Sequence, residues 1–149
     1  MKKTTAFWDS SALVPLCIGQ AGSRQAQFYL RKFDLAVWWG TPVEVHSAIC
    51  RLHRERLVSD VNKQGALARL RLLSRGWREV FPDDQVRELA GELLDKYFLR
   101  AADALQLAAS LVWCHKQPSR RNFICADRRL AQSADAVGFS VLEIPTADP

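Results

Sequence analysis

Histidine is scarce in this chain of 149 residues, with three in all, and the four cysteines, Cys17, Cys50, Cys114 and Cys125, never form a Cys-x-x-Cys pair. Such spacing gives a zinc ion no closely set thiolate or imidazole ligands. Each cysteine falls among apolar neighbours, so each reads as a buried free thiol rather than part of a disulfide framework. Long apolar runs are missing as well: no stretch approaches the roughly 20 residues that a membrane helix needs. The basic start Met1-Lys2-Lys3-Thr4-Thr5 leads into an apolar segment broken by Asp9 and Pro15. It lacks the continuous apolar region and small-residue cleavage site of a signal peptide. The expectation is a cytoplasmic protein without a membrane segment. There is no internal repeat and no low-complexity segment.

What is present suits one soluble domain with a proper core: 48% hydrophobic and 25% charged residues over a length typical of a single domain. Apolar runs alternate with helical patterns. Thr4–Trp8, Leu35–Trp39, Trp77–Phe81, Asn122–Ala126 and Phe139–Ile144 read as strands. Helices are expected after Ser10 or Ser11 as cap, over Ser23–Lys32, from Val43 to about Leu57, over Asp60–Arg75, from Pro82-Asp83-Asp84 to Tyr97, and over Ala102–His115 and Arg128–Ala136. Thr41 is a candidate cap, with Pro42 at the first helical position. Asp83 and Asp84 fit a helix start by complementing its dipole. The alternation implies an α/β fold: a mainly parallel central sheet of four to five strands, covered on both faces. A helical hairpin over 43–75 carries the basic residues Arg51, Arg54, Arg56, Lys63, Arg69, Arg71 and Arg75. Residues 145–149 read as a short, loosely attached tail behind a single domain spanning 1–144.

Four acidic residues stand where such a sheet would gather them. Asp9 ends the first strand and Asp127 follows the fourth, while Glu44 and Asp103 lie at helix starts. Ligands of open α/β sheets bind beyond the carboxyl ends of the strands. Converging carboxylates repel one another and resist desolvation unless a cation neutralises them, and hard oxygen ligands suit Mg²⁺ or Mn²⁺. The net charge is +5, from 21 basic and 16 acidic residues, so the chain outside those four acids is more basic still. An acidic pocket in a basic surround suits a metal-bound site that receives a polyanion. A phospho-receiver would need paired acids after the first strand and a lysine after a late one. Asp9 stands alone, and Lys96 and Lys116 are misplaced. An aspartyl-phosphate phosphatase would need an aspartate where Ser11 stands.

The chain resembles the PIN-domain family, and within it the VapC-type toxin ribonucleases of toxin–antitoxin pairs. The matching pieces are Phe7-Trp8-Asp9-Ser10-Ser11-Ala12-Leu13-Val14, Thr41-Pro42-Val43-Glu44-Val45, Leu99–Ala108 around Asp103, and Ile124–Ala131 around Asp127. They occur in the family's order, and Val137–Leu142 resembles its last helix-to-strand passage. Two departures stand out. Cys125 occupies a position where the family often has Thr or Ser, and Arg128 and Arg129 follow Asp127 where some members add an acid.

The resemblance implies a three-layer α/β/α PIN-like fold and Mg²⁺- or Mn²⁺-dependent cleavage of single-stranded RNA. Asp9 and Asp103 are then expected as direct metal ligands. Glu44 becomes a third ligand or the base that orients the attacking water, and Asp127 a water-mediated or second-ion ligand. Ser11 and Thr41 would hydrogen-bond the carboxylates or the scissile phosphate, with simple helix capping the competing role. The resemblance further implies a homodimer and a small antitoxin protein that binds the hairpin 44–75 and enters the acidic pocket. A structure-specific DNA nuclease and an RNA-binding protein with a weakened site are the competing functions.

Overall fold

The computed structural model describes residues 2–146, so Ala147, Asp148 and Pro149 of the expected tail lie outside it. In chain order it comprises β1 (Thr4–Trp8), α1 (Ser10–Cys17), α2 (Ser23–Lys32), β2 (Phe33–Trp38), α3 (Thr41–Arg54), α4 (Asp60–Ser74), β3 (Arg78–Val80), α5 (Asp84–Lys96), α6 (Ala101–Trp113), β4 (Asn122–Cys125), α7 (Arg128–Val137) and β5 (Ser140–Glu143). The five strands form one sheet in the order β3-β2-β1-β4-β5. Every pairing is parallel, so the sheet is wholly rather than mainly parallel.

The alternation of β1 builds the layers. Ala6 and Trp8 pack on one face with Leu13 of α1, Val45 and Ile49 of α3, and Leu70 of α4. Phe7 packs on the other with Val86 and Leu93 of α5, Leu107 of α6, and Leu130 of α7. Both clusters reach zero exposure at β1, as a strand covered on both sides requires. The result is a three-layer α/β/α sandwich, with the α3–α4 hairpin on one face and the α5–α6 pair on the other.

Several local expectations change. Asp9, not Ser10 or Ser11, is the N-cap of α1, accepting a bond from the Ser11 amide. Gly40 precedes α3 without a side-chain cap, so Thr41 does not cap that helix. The hairpin's core face is carried by Val45, Ile49, Ala66 and Leu70, whereas Val43, Leu57 and Val61 are mostly exposed. Arg69 leaves the basic outer face: its Nη1 donates to the Cys17 carbonyl at 2.8 Å, tying α4 to the end of α1. Asp83 does cap α5, bonding the Val86 amide at 3.0 Å. No helix among the described residues is long and apolar enough to cross a membrane.

Ile144 and Pro145, just after β5, pack against the domain. The Ile144 amide donates to the Cys125 carbonyl at 2.8 Å. Gly22, at φ 90°, allows the next residues to pass. A Cβ there would stand 2.6 Å from Ile144 Cγ2 and would collide with the Pro145 carbonyl oxygen.

Candidate metal and phosphodiester site

The sheet order reverses between β1 and β4, which are neighbours although more than a hundred residues separate them. Where order reverses in a parallel sheet, the crossovers leave in opposite directions and open a crevice at the strands' carboxyl ends. Asp9 follows β1 and Asp127 follows β4, so both stand at that crevice. Glu44 in the first turn of α3 and Asp103 in the first turn of α6 reach it from opposite faces of the sheet. All four line one pocket of about 710 Å³.

A small hydrogen-bond system fixes these acids. The Ser11 hydroxyl donates to Asp9 Oδ2, which also takes the Ser11 amide at 3.1 Å; Oδ1 takes part in neither bond. The same hydroxyl accepts the Ala126 amide at 2.9 Å, so one side chain joins the ends of β1 and β4. Glu44 is held at both oxygens: Ser10 Oγ donates to Oε1 at 3.1 Å, and Gln106 Nε2 donates to Oε2 at 3.2 Å. Gln106 Nε2 also donates to the buried Thr41 hydroxyl at 2.9 Å. Among the described residues the Thr41 hydroxyl thus bonds Gln106 and forms no hydrogen bond to a carboxylate. Asp127 Oδ1 caps α7 at the Leu130 amide, 3.0 Å away. The buried Cys125 thiol donates to the Asp127 carbonyl at 3.6 Å, a weak substitute for a hydroxyl.

The electrostatics follow from burial and crowding. Asp9 is 3% exposed. Its carboxyl is raised from an ordinary 3.8 to about 6, mainly by burial; the Ser11 bonds oppose the rise, and the charges of Asp103 and Asp127 add to it. Burial, then the charge of Asp9, lifts Glu44 to about 7 against the bonds from Ser10 and Gln106. Asp103 is also raised, first by burial and then by Asp127, with Arg100 and Arg129 acting in the other direction. Burial pushes the Cys125 thiol up as well. Among the described residues no ion pair forms with any of the four acids.

A divalent cation meets this donor set on chemistry. The oxygens are hard, the charge is in excess, and among the described residues no lysine or arginine forms an ion pair with it. Among the described residues, however, no three His, Cys, Asp or Glu side chains converge tightly enough to cage an ion. The arrangement suits an ion held by one or two carboxylates with water completing its shell, the usual habit of Mg²⁺.

Two contributors, Ser10 and Gln106, were not expected from sequence. Gln106 is fully buried in the apolar run Ala104–Ala109, and among the described residues its Oε1 has no hydrogen-bond partner. A polar side chain in so apolar a stretch was the available signal, since burying an amide without a partner is costly. The histidines stay away from the pocket lining; His53 pairs instead with Asp60 at 2.6 Å.

No family model matches the chain, and no curated protein matches it in sequence. Solved structures do match in fold. A toxin–antitoxin complex from Klebsiella pneumoniae is 19% identical, with a TM-score of 0.61 over 84% of this chain and 88% of that one. PAE2754 from Pyrobaculum aerophilum is 20% identical, with a TM-score of 0.59 over 87% of this chain and 84% of that one. VapBC2 from Rickettsia felis, bound to a DNA fragment from its promoter, is 9% identical, with a TM-score of 0.64 over 95% and 99%. At such identities the likeness is one of fold, and that fold is the three-layer PIN-like sandwich expected from the sequence.

Proposed function

We propose that this chain is a Mg²⁺- or Mn²⁺-dependent endoribonuclease of the VapC type, the toxin of a toxin–antitoxin pair, cutting single-stranded regions of RNA. One observation carries the reading: four carboxylates from four separate elements line a single pocket at the sheet's switch point, in a chain of net charge +5. Asp9 and Asp103 would hold the cation directly, with Asp127 reaching it through water. When bound, such an ion polarises the phosphoryl oxygens and lowers the pKa of water.

The chain's own residues supply the remainder. Glu44, held at both oxygens, would be the group that accepts the proton of an attacking water. Ser10 and Gln106 fix its orientation. Ser11 keeps Asp9 in register with the end of β4, and so with Asp127.

The partners follow from the same reading. An antitoxin helix would lie on the α3–α4 hairpin, where Leu57, Val61 and Leu72 expose apolar side chains. A second copy would cover exposed apolar surface such as Trp39 and Phe81 beside the ends of β2 and β3. A protein that purifies as a monomer and ignores a co-encoded small protein would remove both partners from the proposal.

The decisive assay is cleavage of labelled single-stranded RNA and matched DNA with Mn²⁺, Mg²⁺ or EDTA, for wild type and Asp9→Asn. Metal-dependent cutting of RNA that Asp9→Asn abolishes is the expected result. Cutting of DNA alone would make the protein a DNA nuclease. RNA binding without cleavage or metal dependence would mark a site that has lost its chemistry.

A further inference from the structure

The pocket does not end at the carboxylates. From Glu44 it runs along α3 past Ala48 to Arg51, with Val14 and Pro15 of α1 on its wall. Glu44, Ala48 and Arg51 lie at helical spacings of four and three, hence on one face. Two helical turns separate Glu44 from Arg51, about 10 Å along the axis. Arg51 is the basic residue of this lining; its side chain is exposed and forms no ion pair among the described residues. One pocket therefore carries anions at one end, an aliphatic wall in the middle and a free cation at the other end.

We infer that Arg51 is a phosphate-binding subsite for the strand being cut, and that the aliphatic wall between it and the carboxylates admits an unpaired nucleotide. The inference rests on the nuclease reading of the same pocket. Ten ångströms corresponds to about one or two nucleotides of an extended strand, so Arg51 meets a phosphate next to, or next but one to, the scissile one. Between Glu44 and Arg51 the wall is largely aliphatic, with the Ser47 hydroxyl as the polar side chain α3 adds to it, so it takes a sugar or base mainly by shape rather than by reading its edges. On this inference the subsite is tolerant of base identity.

Fluorescence anisotropy with labelled single-stranded RNA of several sequences tests this, using protein made non-cleaving by Asp103→Asn and adding Arg51→Ala, Arg51→Lys or Arg51→Glu. Arg51→Ala is expected to weaken binding roughly three- to tenfold at low salt, uniformly across sequences, and to lower the salt slope by about 0.7. Arg51→Lys should restore most of the slope because it keeps the charge. Circular dichroism and melting should be unchanged, since the side chain is exposed. RNA binding by the parent with Arg51→Ala indistinguishable from it in affinity and slope would overturn the subsite and leave the nuclease reading standing. A parent that binds no RNA would overturn both. A variant that loses an acidic helical peptide but keeps RNA would give Arg51 to a protein partner and also overturn the subsite.

Discussion

Asp9→Asn is expected to stabilise the metal-free protein while abolishing its chemistry. Asp9 is 3% exposed, and its carboxyl is raised from 3.8 to about 6, chiefly by burial. A carboxyl whose folded value lies above its unfolded one stabilises fully below the unfolded value, and that contribution is lost as pH rises through the folded value. Near pH 7.5 the ionised side chain therefore costs about 3 kcal/mol relative to a neutral one. Asparagine keeps a carbonyl oxygen to accept the Ser11 amide and hydroxyl, so the cap survives. For a chain of this size about 2–4 °C of melting temperature accompanies each kcal/mol, so a gain of up to roughly 6–12 °C is expected in EDTA. The gap should shrink to about half near pH 5 and close only below about pH 4, where Asp9 is protonated in the folded and unfolded chain alike. Mn²⁺ should raise the melting temperature of the wild type and hardly move that of the variant. Thermal melts at these pH values, with EDTA and with Mn²⁺, check all of this. A variant melting at or below wild type near pH 7.5 in EDTA would refute the idea that Asp9 is a strained, buried charge awaiting a cation.

Gln106→Leu removes the bonds to Thr41 and Glu44 while relieving the unpartnered Oε1. A net loss of about 1–3 kcal/mol in urea unfolding is expected, with kcat falling at least about tenfold and KM little changed. In EDTA the wild type should lose stability as pH rises from about 4 to about 7, the Asp9 share levelling off near 6 and the Glu44 share near 7; a flat profile over that range would contradict the raised carboxyls. Gly138→Ala should cost about 1–2 kcal/mol, because φ is 115° and the new Cβ meets Pro118 Cγ at 3.1 Å, and cleavage should be untouched. Gly22→Ala should instead raise KM, because it pushes Ile144 and Pro145 away from the pocket they line.

Much of the frame was legible. The strands and helices announce themselves by apolar runs and punctuation, and β1 and β4 are recognisable because each ends in an aspartate after an unbroken apolar run. The caps were harder. Asp9, Ser10 and Ser11 are all capping types, and only the fold shows that Asp9 caps while the two serines bond Glu44 and Asp9. Thr41 precedes a proline at a helix start, a pattern that suggests a cap. Its hydroxyl turns inward because α6 brings Gln106 across the sheet, a contact between residues far apart in sequence. Val43, Leu57 and Val61 fit an apolar stripe yet stay exposed, since helical periodicity cannot say which of two overlapping stripes meets the core. The pocket wall at Ile144 and Pro145 depends on Gly22, and no local pattern joins those segments.

The pairing of Phe7 with Phe123 and of Trp8 with Ile124 has a consequence for synthesis. Translation is directional, and a strand cannot close a ladder with a partner not yet made. Asp9 emerges early, but Asp127 joins it only when β4 has left the ribosome and docked against β1. Until then the nascent chain carries separated acids, one of the two ladders of β1 open, and the hairpin 41–74 already complete. The four-carboxylate pocket is thus among the last features to form, while the hairpin precedes it.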